Sequence, residues 1–225
     1  MMYLLDTANI EEIENGIKKY PIDGITTNPT IISKENTDFV QLITKIKSII
    51  GDKMFHIQLT TNTCEEMIQE AIALRSLVGD NLYVKVPISI EGIRTIMELK
   101  KLGFNVTATA IFTQQQALIA AKAGADFVAP YVNRLDNVIN DGTNIVKEIV
   151  ELFKIQNIQC KVLAASFKNA EQVHKVSMVG GNAVTVLPEI LELLIEHPLT
   201  ASAIDSFKED WKNVYGDHTI TTMCK

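Results

Sequence analysis

Apolar and polar positions along the chain follow one alternation from end to end. A short β-branched apolar run is followed by a longer stretch with apolar residues three and four apart, again and again. The short runs are read as strands at Met2–Asp6, Gly24–Thr27, Met54–Leu59, Leu82–Pro87, Asn105–Ala110, Asp126–Tyr131, Lys161–Ala165 and Ala183–Leu187. The longer stretches are read as helices, several opening on capping-box spacing: Asn9-x-x-Glu12, Thr63-x-x-Glu66, Thr113-x-x-Gln116 and Asn169-x-x-Gln172. Gly51, Gly79, Gly103, Gly124 and Gly180 follow helical stretches where a left-handed stop residue is expected.

Eight such units without a linker or a composition break predict a closed (β/α)8 TIM barrel of the α/β class. The competing open doubly wound sheet carries a glycine fingerprint after its first strand, and here that position reads Leu5-Asp-Thr-Ala-Asn9. The expected organisation is one domain over residues 1–225: a barrel to about residue 197, an added helix over 198–217 and a frayed tail over 218–225. In the added helix Phe207, Trp211, Val214 and Tyr215 recur at helical spacing. That stripe either closes the bottom of its own barrel or serves as a subunit interface.

Composition narrows the function. Of 225 residues 47% are hydrophobic, and the formal net charge is −6 without any Lys/Arg block, which argues against nucleic acid or an anionic membrane as partner. The N-terminus lacks a basic signal-peptide region and no apolar run reaches the length of a membrane span. Cys64, Cys160 and Cys224 are odd in number and widely spaced, so reduced thiols and a cytoplasmic location are expected, with Cys64 in a helix and Cys160 in a strand. The four histidines show no metal-ligand spacing, and the chain has neither a GxxxxGK[ST] nor a GxGxxG loop. A mechanism without metal or cofactor is the simplest expectation.

Barrel active sites lie at the C-terminal ends of the strands. Seven of the eight strand ends present a hydrogen-bonding or ionisable side chain: Asp6, Thr26 with Asn28, Gln58, Lys85, Thr109, Tyr131 with Arg134, and Ser166 with Lys168. Lys85 stands out because it lies inside the apolar run Leu82-Tyr-Val-Lys-Val-Pro87. Burial disfavours its charged form, and a neutral lysine is a nucleophile suited to a Schiff base with a carbonyl substrate. The alternative is a lysine at the strand's end that snorkels to water.

Its partners have two readings as well. Asp6 caps a helix, or it holds hydroxyls and moves protons; Thr26 and Asn28 shape a turn or touch substrate. Gln58 and Thr109 orient a water without taking its proton. Tyr131 is a core aromatic, or an acid or base acting through water. Arg134, Ser166 and Lys168 form an anion site on the late strands, or the two cations are solvated surface charges.

These segments resemble the transaldolase family. Gly24-Ile-Thr-Thr-Asn-Pro-Thr-Ile31 and Leu82-Tyr-Val-Lys-Val-Pro87 with Glu91-Gly92 are similar to its two signature segments, and Ala129-Pro-Tyr-Val-Asn-Arg134 and Ala164-Ala-Ser-Phe-Lys168 extend the likeness. The resemblance implies a Schiff base between Lys85 and a dihydroxyacetone unit, with Asp6 relaying protons and Thr26 and Asn28 holding the substrate. Arg134 and Ser166, with Lys168, would bind the sugar phosphate. The length matches the family's short members, which include fructose-6-phosphate aldolases and commonly assemble as decamers of two pentamers, the C-terminal helix packing on a neighbour.

Transaldolases typically carry glutamate where this chain has Gln58 and phenylalanine where it has Tyr131, whereas the aldolase branch has glutamine and tyrosine. An amide cannot serve as the base for the catalytic water, so the Tyr131 phenol would take that role, with Gln58 and Thr109 positioning the water. The expected activity is therefore a Schiff-base aldolase of fructose 6-phosphate, with transaldolase as the alternative and a non-catalytic phosphosugar-binding barrel as the reading from another class.

Overall fold

The computed structural model describes residues 1–225. Its elements run β1 Met2–Asp6, α1 Ile10–Lys19, β2 Gly24–Thr26, α2 Pro29–Lys34, α3 Phe39–Ile50, β3 Met54–Gln58, α4 Cys64–Val78, β4 Leu82–Pro87, α5 Ile90–Lys101 and β5 Asn105–Ile111. They continue with α6 Gln114–Lys122, β6 Phe127–Pro130, α7 Val132–Asp136, α8 Gly142–Ile155, β7 Lys161–Ala164, α9 Ala170–Met178, β8 Ala183–Val186, α10 Pro188–Leu193, α11 Pro198–Tyr215 and α12 Ile220–Met223.

All neighbouring strands pair in parallel, and β8 returns to β1, so the sheet closes into the TIM barrel the alternation predicts. The helices start where short polar side chains satisfy the free N–H groups of their first turn. Asn9, Asn28, Asp38, Thr63, Ser89, Thr113, Asp141 and Asn169 each accept a hydrogen bond from the backbone N–H three residues on. The reciprocal capping box closes at Thr113 and Gln116. Gly51, Gly79, Gly103, Gly124 and Gly180 all take positive φ at the helix stops.

Two layers of core hold the barrel. The larger lies between strands and helices; inside the barrel a smaller cluster of Leu4, Phe127, Leu163 and Ala183, flanked by Met2, Met54 and Tyr83, fills the N-terminal end. The interior then turns polar toward the other end, through His56 and Thr107 and then Thr26 and Thr185, all buried. Gly92 explains one signature residue: a Cβ there would collide with the Pro87 carbonyl, so only glycine lets α5 press against the end of the strand that carries Lys85. Its neighbour Glu91 accepts from the Cys64 backbone N–H at 3.1 Å and ties α5 to α4.

Three expectations need correction. The segment 218–225 is not wholly frayed: Thr219 and Thr222 form a reciprocal cap that starts α12, and the Trp211 indole donates to the His218 carbonyl at 2.7 Å. The aromatic stripe does not close the bottom of its own barrel, since α11 buries none of its residues in the chain and Phe207 remains 69% exposed. Cys160 precedes β7 instead of lying in it, and burial, aided by the Asp126 charge, pushes its thiol up to about 12, which leaves it unreactive. No helix is long and apolar enough to cross a membrane.

Candidate active site

The C-terminal end of the barrel opens into a cavity of about 290 Å³. Asp6, Lys85 and Thr185 come to it from strands β1, β4 and β8, and Asn28 from the turn that begins α2. Tyr131 and Arg134 reach it from the end of β6 and from α7, and Ser166 and Lys168 from the loop after β7.

Lys85 lies at its base. The residue is only 5% exposed, and its Nζ donates to the Thr27 carbonyl at 2.7 Å. Burial holds its pKa below the ordinary lysine value; the Asp6 carboxylate opposes this in part but forms no direct ion pair. In its neutral form, which burial favours, the amine gives one N–H to that carbonyl and keeps its lone pair for an electrophile. Below it in the barrel, His56 is fully buried, with Nδ1 2.9 Å from Thr107 Oγ1 and its ring stacked on Tyr83 at 4.6 Å. Burial first, and the Lys85 charge second, hold His56 well below its usual pKa, so neither group can take a proton without cost to the other.

Asp6 is oriented by a relay. Thr26 Oγ1 donates to Asp6 Oδ1 at 2.6 Å and lies 2.6 Å from Thr185 Oγ1. Because the Thr26 proton goes to the carboxylate, Thr185 is the donor to Thr26. Thr26 is thus beneath the cavity, fully buried, and acts on Asp6.

Tyr131 sits opposite. Its hydroxyl is 3.1 Å from Thr109 Oγ1, Phe112 packs edge-on against its ring at 5.5 Å, and the Arg134 guanidinium lies over its face at 4.8 Å. A bulge in β5 between Ala108 and Ile111, with Ala110 at φ 60°, shapes the strand end from which Thr109 points inward. Ser166 is also held at a positive φ of 63°, a costly conformation for a serine that is fixed by its carbonyl accepting from Asn133 N at 2.8 Å.

The expected residues are therefore gathered, with distinctions. Asn28 caps α2 through Ile31 N and also lines the cavity, so its two readings coexist. Gln58 pairs in register with Lys85 on the adjacent strand, but it lines a separate apolar cavity with Ile32, Phe39 and Leu77. Thr109 reaches the site through Tyr131. Sequence reasoning missed Thr185, the Thr27 carbonyl, His56 and Lys34, the last of which lines the cavity from α2.

Residues 3–222 match the family model described as Transaldolase/Fructose-6-phosphate aldolase. The chain belongs to that family. Members of the transaldolase/fructose-6-phosphate aldolase family are enzymes, and named relatives fall on both sides of the division. A probable fructose-6-phosphate aldolase of Streptococcus pneumoniae is 36% identical over 98% of this chain and 100% of its own length. A probable transaldolase of Thermoplasma volcanium is 39% identical over 96% of this chain and 98% of its own, and one of Clostridioides difficile 36% over 94% and 97%. Identity of this size does not separate the two activities. The solved structure of a thiamine phosphate pyrophosphorylase from Pyrococcus furiosus superposes with a TM-score of 0.59 over 83% of this chain and 84% of its own, and its 15% identity speaks to the barrel alone.

Proposed function

We propose that this family member is a Schiff-base aldolase that cleaves and forms fructose 6-phosphate from dihydroxyacetone and D-glyceraldehyde 3-phosphate. The observation that carries the aldolase reading is the Tyr131–Thr109 hydroxyl pair in a cavity whose wall holds a single carboxylate, Asp6. Gln58 is a neutral amide that lines the neighbouring cavity, and no second carboxylate reaches this one, so the phenol is the group left to manage the catalytic water.

In this mechanism the Lys85 lone pair attacks the C2 carbonyl of the ketose, and loss of water gives an iminium. Asp6, aimed by Thr26, takes the proton from the C4 hydroxyl. The C3–C4 bond breaks, its electron pair moves into the iminium to form an enamine, and the aldehyde phosphate departs past Arg134, Ser166 and Lys168. Tyr131 then delivers a proton to C3 through water, and hydrolysis frees dihydroxyacetone and Lys85. Asn28 holds substrate hydroxyls near the entrance. No step calls for a metal or an organic cofactor.

Transfer of the dihydroxyacetone unit to another aldose phosphate, as in the pentose phosphate pathway, is the second reading, favoured by relatives named probable transaldolase. Both share every step up to the enamine. Release of free dihydroxyacetone from fructose 6-phosphate without acceptor supports the aldolase; strict dependence on erythrose 4-phosphate overturns it in favour of transfer. The exposed stripe on α11 supports a homo-oligomer, proposed as a decamer of two pentamers, which light scattering of the purified protein tests.

A further inference from the structure

Three basic side chains stand on the cavity rim: Lys34 on α2, Arg134 on α7 and Lys168 after β7. None makes a salt bridge, and none spends its charged head on a protein hydrogen bond; Arg134 rests over the Tyr131 ring. The carboxylates next to them in sequence are committed elsewhere. Glu35 holds Asn9 Nδ2 at 3.3 Å, Asp136 accepts from Gly142 N at 2.8 Å and Gln172 Nε2 at 2.6 Å, and Glu171 pairs with Lys175 at 2.8 Å. Apart from Lys85 at the cavity base, these three rim cations share the cavity with one carboxylate, Asp6. The surplus of two positive charges matches a phosphate monoester dianion.

We propose that Lys34 is a substrate-specificity residue, closing the anion subsite from the α2 side opposite Arg134 and Lys168. The inference rests on the sugar-phosphate reading above and adds to it a residue from a different wall of the cavity. Arg134 and Lys168 both arrive from the late strands and grip an anion from one side. Lys34, reaching from α2 next to the Asn28 turn, makes the grip two-sided, so the phosphate of the incoming aldehyde is centred over the barrel axis and its carbonyl is brought toward the Lys85 enamine. An ammonium on a flexible stem suits this task, since it reaches a phosphate as a point charge without the fixed fork of an arginine.

The test compares Lys34→Gln with the native chain in two measurements. In the first, dihydroxyacetone is added to D-glyceraldehyde 3-phosphate and to unphosphorylated D-glyceraldehyde. The ratio of kcat/KM for the two aldehydes is expected to fall about tenfold in Lys34→Gln, to be largely kept in Lys34→Arg, and to shrink in the native chain as salt is raised. An unchanged ratio overturns the proposal. In the second, inorganic phosphate is titrated calorimetrically into the native chain, Lys34→Gln and Arg134→Gln. Weaker phosphate binding in both variants is expected, and native affinity in Lys34→Gln overturns the proposal even where the reaction is transfer. A chain that binds phosphate through Lys34 but releases no dihydroxyacetone would sink the aldolase reading and leave the subsite standing.

Discussion

The hydroxyls of Tyr131 and Thr109 lie 3.1 Å apart at the mouth of the barrel, and this contact connects the phenol to a fully buried side chain on β5. The contact fixes the phenol from one side while Phe112 and Arg134 pin its ring from two others. A side chain so held is built to present its O–H in one direction. Tyr131→Phe keeps the ring packing and removes only the proton carrier. Release of free dihydroxyacetone is expected to slow by roughly 10²–10⁴-fold, the range of a lost general acid–base group. Formation of the Lys85 adduct with dihydroxyacetone is expected to persist. Loss of both together would assign Tyr131 a structural role.

The relay from Thr185 through Thr26 to Asp6 makes a second prediction. Thr185→Val preserves shape and deletes the donor to Thr26. The expected result is a drop in kcat/KM of roughly tenfold at a stability cost under about 2 kcal/mol, the range for one lost buried hydrogen bond. Thr26→Val, which strips Asp6 itself of its donor, is expected to lose more. Steady-state kinetics with chemical denaturation checks both, and equal activity in Thr185→Val and the native chain would remove the relay from the mechanism.

Strands and caps were legible in the sequence because their signals are local: a β-branched run reads as a strand wherever it sits, and Asn28 or Thr113 satisfies an N–H three residues away. Residues at strand ends were legible because the barrel converts position along a strand into height in the site. Thr185 escaped because the reading stopped at Leu187, although the period-two alternation puts the side chain two residues earlier on the same inward face. Lys34 escaped because nothing in its neighbours tells how a six-residue helix is tilted over the barrel mouth. The Thr27 carbonyl is backbone, which no reading of side chains detects. Packing of α11 depends on what lies beyond one chain, so periodicity gave the helix and not its destination.

Lys85 also bears on stability. Its folded pKa is depressed by burial, so the unfolded chain binds a proton more readily. Stability conferred by the neutral amine is complete above the ordinary lysine value near 10.5 and is lost as pH falls toward the folded pKa. At neutral pH the native lysine is therefore a burden on the fold. Lys85→Met is expected to melt higher than the native chain near pH 7, with the difference narrowing as pH rises toward 10, while activity falls at least about 10³-fold. A lower melting temperature for Lys85→Met at pH 7 would contradict the burial argument.

His56 gives the matching prediction on the acid side. Its folded pKa lies well below 6.5, so its contribution is present above about that pH and declines as pH falls. His56→Phe, whose ring can still stack on Tyr83, is expected to show a shallower loss of unfolding free energy between about pH 6.5 and 5 than the native chain. Denaturant titrations across that window measure the slope, and identical slopes would mean that His56 titrates like a solvated imidazole.

Schiff-base formation at Lys85 is tested most directly by borohydride reduction in the presence of dihydroxyacetone, followed by peptide mass mapping. A buried Lys85 acting as the nucleophile predicts one added dihydroxyacetone unit per chain, located on the Leu82–Pro87 peptide and absent in Lys85→Ala. An adduct on another lysine, or none on the native chain, would contradict the account.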